Sequence, residues 1–183
     1  QEVGYLTNET IFSLTELPSR LGVIGAGPVG CELAQAFALF GSQVYLIEAQ
    51  HGILPNEDRD AAEIVEQQML RDGVKMLCCG KDLKVNKTAG GKQLTVVSHG
   101  QRYDVTVDEI LVGVGRTPNV EGIGLEAVGV EYDKNGVKVN ARLQTTNPRI
   151  FAAGDICSKY KFTHAADAMA QIVIQNALFP HPL

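Results

Sequence analysis

The chain has 183 residues, of which 45% are hydrophobic, and a formal net charge of −5 from 16 basic and 21 acidic residues. This length suits one domain with or without an attached segment, and the hydrophobic fraction is sufficient for a packed core. The acidic balance and the lack of a basic run argue against nucleic acid or a membrane surface as a partner. No apolar stretch approaches the ~20 residues that a membrane span needs.

Cysteine and histidine usage indicates the compartment and argues against a metal. None of the four cysteines has CxxC spacing or belongs to a secreted-type framework: Cys31, Cys78, Cys79 and Cys157. A reducing, cytoplasmic location is therefore expected. Cys78 and Cys79 end an apolar run at 74–79, so buried structural thiols are favoured over a redox pair. No metal site is expected, because three histidines lack acidic or thiol partners at a suggestive spacing: His51, His99 and His181.

The first strong element is a strand at 20–25, followed by a helix at 28–40. Pro28 suits the first turn of that helix, and Gly41 suits the position just past its end. The helix is expected to bury one face, formed by Val29, Leu33, Phe37 and Phe40.

A second strand at 43–48 and a second helix at 57–71 repeat the pattern. Asn56 is the expected N-cap, with Glu57 and Asp58 in an acidic first turn. The expected inner stripe consists of Ile64, Val65 and Met69. A third strand at 74–79 completes the β-α-β-α-β half of a doubly wound sheet.

The pattern then changes to three short β-prone runs at 83–86, 94–98 and 103–107, separated by glycine turns. Strands at 109–114 and 149–153 follow, and then a helix at about 165–179 capped by Thr163. One side of this last helix is expected to carry Ala165, Met169, Ile172 and Asn176. The predicted fold class is α/β, a doubly wound parallel sheet (Rossmann-like) with a three-stranded antiparallel β-meander as one crossover.

A GxGxxG motif, Gly25 to Gly30, lies between the first strand and the first helix, which is the context that a dinucleotide site requires. Gly25 allows the tight turn, Gly27 allows the backbone to approach a pyrophosphate, and Gly30 allows close packing of helix on strand. The first turn, with Pro28 and Val29, presents free N–H groups and a partial positive charge to the phosphates.

Glu48 ends the second strand, 23 residues after Gly25. A carboxylate at this place can accept hydrogen bonds from the adenosine ribose and would repel the 2′-phosphate of NADP. The following residues, Ala49, Gln50 and His51, supply no arginine for such a phosphate. NAD(H) is therefore the expected cofactor, and NADP is disfavoured.

Four stretches together resemble the FAD-dependent pyridine nucleotide-disulfide oxidoreductases. They are GAGPVGCE at 25–32, the strand end at 44–48, GVGRTPN at 113–119 and TTNPRIFAAGD at 145–155. The resemblance implies that 21–141 form the NAD(H)-binding domain. It also implies that 1–20 lead in from the FAD domain and that 142–183 return to it.

Within this resemblance, Glu32 corresponds to a glutamate near the nicotinamide and flavin rings, and Gly115 to the loop beside the nicotinamide. Asp155 would hydrogen-bond FAD, since a carboxylate just past a strand end can reach flavin hydroxyls. Arg116 is expected to hold its loop in place. His164 is not expected to be catalytic, because the family base lies in a C-terminal domain, so no catalytic residue is assigned to this chain.

The resemblance implies a portion of a larger enzyme in which a nicotinamide passes a hydride to FAD. The first FAD-binding GxGxxG, the redox CxxxxC and the C-terminal domain are not present in the sequence, so the isolated chain is expected to be inactive. The expected partners are the rest of the same polypeptide and a second copy in a homodimer. The parent is expected to be mercuric reductase-like or dihydrolipoamide dehydrogenase-like. The alternatives are another flavoprotein, such as an NADH dehydrogenase or ferredoxin reductase, and a non-catalytic NAD(H)-binding module.

Overall fold

The computed structural model describes residues 3–179, which form two compact units, one ending at Gly115 and one beginning at Arg116. The described part of the first unit is built on a four-stranded parallel sheet of β1 (Arg20–Ile24), β2 (Gln43–Ile47), β3 (Lys75–Leu77) and β7 (Glu109–Val112). The strand order is β3-β2-β1-β7. All three pairings are parallel.

Two helices and a meander connect these strands. Helix α1 (Pro28–Leu39) joins β1 to β2, and helix α2 (Arg59–Arg71) joins β2 to β3. The connection to β7 is an antiparallel meander of β4 (Lys81–Thr88), β5 (Gly91–Ser98) and β6 (Gln101–Val107). The predicted fold class, including the meander crossover, is confirmed.

The parallel sheet is covered on both faces, which is why its strands are apolar almost throughout. On one face, Cys31 and Ala34 of α1 and Met69 of α2 belong to the same core cluster as Val23 and Leu46. On the other face, the meander contributes three fully buried side chains that pack with Ile47 and Ile110: Leu94, Val96 and Val107.

The buried faces of both helices match the predicted ones only in part. In α1 the buried residues are Gly30, Cys31 and Ala34, and the small residues allow the helix to lie close to the sheet. Of the predicted stripe, Leu33 and Phe37 are partly buried and pack against the same core cluster, whereas its last member, Phe40, is 69% exposed. In α2 the buried residues are Ala62 and Met69. Met69 was therefore predicted correctly, whereas Ile64 and Val65, which are 74% and 37% exposed, were wrongly placed in the inner stripe.

Two predicted boundaries and one predicted strand were also wrong. The N-cap of α2 is Asp58 rather than Asn56, which leaves Glu57 outside the helix. The third strand stops at Leu77, because Cys79 adopts a left-handed conformation with φ of 54°. Residues 149–153 form no strand; within the described chain, their ladder is a single bridge between Phe151 and Gln144, and one bridge is too little for a strand.

The second unit contains a short hairpin of β8 (Tyr132–Asp133) and β9 (Gly136–Val137) and the helix α3 (Thr163–Leu178). Its core cluster is centred on Val120, Val130 and Val137. Thr163 is the first helical residue rather than the cap. The four residues predicted to share a side of α3 are all partly buried, and no residue of the helix is fully buried. No helix in the described residues combines the length and apolar character needed to cross a membrane.

Candidate functional site

The glycine-rich loop and Glu48 follow the carboxyl ends of two adjacent parallel strands. Ile24 of β1 is paired in register with Ile47 of β2, so the residues after them leave the sheet side by side. The N–H of Gly25 donates to the carbonyl of Ile47 at 2.8 Å. The sequence therefore places the motif at the sheet edge where α/β proteins bind ligands.

Gly25 and Gly30 are required by the fold itself. Gly25 has φ of 99°, and a Cβ on it would lie 2.5 Å from the carbonyl oxygen of Gly113. A Cβ on Gly30 would lie 2.0 Å from the carbonyl oxygen of Gly25. Both contacts are with backbone atoms that cannot move aside, so these two glycines bring α1 against the strand ends.

Gly27 differs from its two neighbours in the motif because no part of the described protein requires a glycine there. Its φ is −72°, which any residue can adopt. No atom lies within 4 Å of the place that its Cβ would occupy. The missing side chain therefore leaves open space at the amino end of α1.

The amino end of α1 is not capped from within. Gly27 is the N-cap, no side chain caps the helix, and Pro28 occupies the first turn. In the described chain the N–H groups of Val29 and Gly30 form no hydrogen bond. Free N–H groups at the positive end of a 12-residue helix are suited to an anion such as a phosphate.

Glu48 is 9% exposed and is directed at the glycine-rich loop. Its Oε2 accepts a hydrogen bond from the N–H of Ala26 at 2.8 Å, and its Oε1 accepts one from the N–H of Gln50 at 2.8 Å. A carboxylate offers about four acceptor positions, so about two remain for a ligand. The carboxylate also fixes the loop, a structural role that the sequence alone did not indicate.

Ala26 is a further residue of this site that the motif did not point to. Besides its bond to Glu48, its carbonyl accepts hydrogen bonds from the N–H of Leu54 at 2.8 Å and from the thiol of Cys31 at 3.3 Å. Burial raises the pKa of Cys31 to about 12, which keeps the thiol protonated as a donor. The variable position of the motif is therefore held on both its donor and its acceptor side.

The remaining predicted site residues are less enclosed. Glu32 is exposed on the first turns of α1, and Gly115, with φ of 125°, is exposed with no atom near its Cβ position. In the second unit, Asp155 accepts a hydrogen bond from Nη1 of Arg116 at 3.0 Å. Lys161 donates to the backbone carbonyl of Asp155 at 3.0 Å. The ion pair thus connects the segment that contains Arg116 with the segment around Asp155.

One histidine, His51, has a thiol partner that was not expected from the sequence. Nδ1 of His51 lies 3.4 Å from Sγ of Cys79, so His51 does have a thiol partner. This pair could not be recognised from the sequence, because its members lie 28 positions apart. The described residues contain no group of three or more ligating side chains that could hold a metal ion. His164 stacks on Phe162 with ring centroids 5.4 Å apart.

The parallel sheet and the glycine-rich loop at its edge define the class of protein, a Rossmann-like α/β domain. The sequence profile described as pyridine nucleotide-disulphide oxidoreductase matches residues 1–171. The chain belongs to this family.

Relatives within the family carry different names. A dihydrolipoyl dehydrogenase from Bacillus subtilis is 36% identical over 162 residues, covering 88% of this chain and 35% of the relative. A mercuric reductase from Lysinibacillus sphaericus is 33% identical over 179 residues, covering 97% of this chain and 33% of the relative. Among solved structures, the HOCl-induced flavoprotein disulfide reductase RclA from Escherichia coli matches with a TM-score of 0.85 and 30% identity. That match covers 98% of this chain and 41% of the other.

The chain therefore spans about a third of the length of the curated relatives that it matches. This is consistent with one portion of a larger polypeptide, as the resemblance implied.

Proposed function

We propose that this chain is the NAD(H)-binding portion of a flavin-dependent disulfide oxidoreductase. In this proposal 21–141 form the nucleotide domain, and 1–20 and 142–183 belong to the FAD domain. One observation carries the proposal: the open space left by Gly27 lies at an uncapped helix end, in the loop that the buried carboxylate of Glu48 holds.

The diphosphate is assigned to the amino end of α1. Gly25, Gly27, Pro28, Val29 and Gly30 form this end of the helix, and the free N–H groups of Val29 and Gly30 supply the donors. A side chain at Gly27 would fill the space in which a phosphate could approach the backbone. The residues present therefore fit a dinucleotide.

The adenosine ribose is assigned to Glu48. Its two unused acceptor positions suit two hydroxyl groups, and its negative charge opposes a 2′-phosphate. This supports NAD(H) over NADP(H). The buried setting of the side chain strengthens both effects, because charges interact more strongly where water is excluded.

The redox end of the cofactors is assigned to three residues. We propose that Glu32 and Gly115 adjoin the nicotinamide and that Asp155 contacts FAD. The bound cofactors supply the hydride chemistry, from nicotinamide to flavin, and the residues of this chain hold and orient them. The ion pair with Arg116 uses part of the carboxylate of Asp155 and leaves acceptor positions free for flavin hydroxyls.

The rest of the proposal concerns the complete protein. We propose that the partners of this chain are the remainder of its own polypeptide and, across a homodimer, a second copy. A cytoplasmic location is part of the same proposal and follows from the free cysteines. The relatives include both dihydrolipoyl dehydrogenases and mercuric reductases, so both electron acceptors are candidates.

The proposal is tested by calorimetric titration of the chain with NADH and NADPH. We expect NADH to bind more tightly, and we expect Glu48→Gln to lower the ratio of the two affinities by about tenfold, equal to about 1.4 kcal/mol. Glutamine keeps the size of the side chain and one acceptor oxygen but removes the charge. Glu63→Gln, which removes an equal charge from the exposed face of α2, is the control.

The ratio of the NADH and NADPH affinities reports on specificity. A loosening of the glycine-rich loop would weaken the binding of both nucleotides and would leave this ratio unchanged. If Glu48→Gln leaves the ratio at the value of the unmodified chain while its circular dichroism spectrum is unchanged, the assignment of Glu48 is wrong. If neither nucleotide binds the unmodified chain, the function proposed for it is wrong.

A further inference from the structure

Cys79 lies outside the parallel sheet, beside an imidazole. The chain leaves β3 at Leu77, and Cys79 turns into the left-handed region with φ of 54°. Its N–H donates to the carbonyl of Gln50 at 2.9 Å, which brings it alongside the segment after β2. Its Sγ lies 3.4 Å from Nδ1 of His51, which is itself exposed.

Among residues 3–179, no imidazole forms a hydrogen bond with any of the other three thiols. Burial raises the pKa of Cys31 to about 12 and that of Cys78 to about 11, so both remain protonated. Cys157 is partly exposed, but burial raises its pKa as well, and its thiol lies 3.7 Å from the carbonyl oxygen of Gly154. A carbonyl can accept a thiol proton in a hydrogen bond but cannot take it up, whereas an imidazole can.

We propose that Cys79 and His51 form a reactive thiol site that undergoes exchange with small disulfides. The site has the two elements that thiol nucleophiles need, a base in contact with the sulfur and access to solvent. It is separate from the nucleotide site proposed above, since neither side chain is assigned to the cofactor.

The exchange balances without a further reagent. The S–H proton of Cys79 passes to Nδ1 of His51, and the thiolate attacks one sulfur of the disulfide. The sulfur–sulfur bond of the reagent breaks as the new bond to Cys79 forms. A basic leaving thiolate takes up the proton from the imidazolium, and a weakly basic aromatic one leaves that proton to solvent. The products are a mixed disulfide on Cys79, one small thiol or thiolate and a neutral His51.

His99 provides a matched control within the same surface region. Its ring packs edge-to-face on that of His51 with centroids 6.3 Å apart. Its backbone φ is 49°, a conformation that asparagine tolerates well. His51→Asn and His99→Asn therefore remove one imidazole each, and the structure shows contact with the thiol only for His51.

The test is the reaction of the reduced chain with the chromogenic disulfide DTNB, followed by release of the coloured thiolate and by mass spectrometry of the labelled peptides. We expect Cys79 to be labelled first. We expect His51→Asn to slow that labelling by about tenfold or more, as for loss of a general base. His99→Asn should leave the labelling rate of Cys79 within about twofold of that of the unmodified chain. Cys79→Ser should abolish the fast phase of the reaction, whereas Cys157→Ser should retain it.

Two results would overturn the proposal. One is first labelling at a cysteine other than Cys79, and the other is an equal rate in His51→Asn and the unmodified chain. The thermal midpoint of each variant, measured by circular dichroism, checks that an altered rate does not come from unfolding. Neither result depends on nucleotide binding, so this test and that of the proposed function can fail separately.

Discussion

Gly27 and Gly30 lie three positions apart in one motif, yet replacement by alanine should have different consequences at the two positions. Gly27→Ala adds a methyl group to open space at a backbone angle that alanine accepts. Gly30→Ala adds it 2.0 Å from the carbonyl oxygen of Gly25. We expect the first change to affect nucleotide binding and the second to affect folding.

The magnitudes follow from these contacts. In Gly27→Ala, reduced flexibility of the unfolded chain stabilises by about 0.4–1 kcal/mol, and loss of the better N-cap residue costs about 1 kcal/mol. The net change in the free energy of unfolding should therefore stay within about 1 kcal/mol. In Gly30→Ala, the obstacle is backbone, so the cost should reach the upper end of overpacking, about 3 kcal/mol.

The effect on binding comes from the donors at the helix end. A methyl group at Gly27 keeps a phosphate from the N–H groups of Val29 and Gly30, and a hydrogen bond to a charged group contributes about 1.5–3 kcal/mol. Loss of one such bond lowers NADH affinity by about tenfold or more.

Urea unfolding followed by circular dichroism measures stability, and calorimetric titration measures the NADH affinity. Gly4→Ala is the control, because Gly4 also has open space at its Cβ position but lies outside the motif. The reasoning is refuted if Gly27→Ala binds NADH as tightly as the unmodified chain, or if Gly30→Ala is as stable as Gly4→Ala.

Two further predictions concern pH and turnover. The pKa of Asp108 is lowered by hydrogen bonds from the Arg20 side chain, so its carboxylate stabilises the fold above its unfolded pKa of about 4 and loses that effect as pH falls through the lower folded pKa. Urea unfolding across pH should therefore show Asp108→Asn less stable than the unmodified chain at neutral pH and the difference shrinking in acid; a difference constant with pH would contradict this. For turnover, the 183-residue chain alone should not oxidise NADH with disulfide or dye acceptors, and sustained loss of NADH absorbance would contradict the assignment of the remaining machinery to the rest of the polypeptide.

Features of the fold and the site could be predicted from the sequence where the local backbone geometry or burial requires a particular type of residue. The strands are apolar because a parallel sheet covered on both faces buries nearly all their side chains. At Gly25 and Gly30 a Cβ would collide with a backbone carbonyl oxygen, and the motif could be recognised from its spacing together with the strand before it and the helix after it. Glu48 could be placed because it directly follows a strand.

Other features depend on contacts between distant parts of the chain. Ile64 is apolar but faces away from the sheet, since the small side chain of Ala62 and the long one of Met69 make the contact instead. Residues 149–153 are as apolar as a strand, but strand formation also needs hydrogen-bonding partners along its length. The hydrophobic pattern of a segment does not show which distant segment will pair with it. For the same reason, the contact between His51 and Cys79 could not be predicted from the sequence.

Backbone hydrogen bonds connect Cys79 to Glu48. The carbonyl of Gln50 accepts from the N–H of Cys79, while the N–H of Gln50 donates to the carboxylate of Glu48. The carbonyl of Glu48 in turn accepts from the N–H of Gly80 at 2.8 Å. The segment that contains Glu48 and the segment that contains Cys79 are thus joined by backbone hydrogen bonds to the carbonyls of Gln50 and Glu48. An adduct on Cys79 that displaced its backbone would disturb the same hydrogen bonds that direct Glu48 at the glycine-rich loop, so the proposed nucleotide and thiol sites use different side chains but share one support.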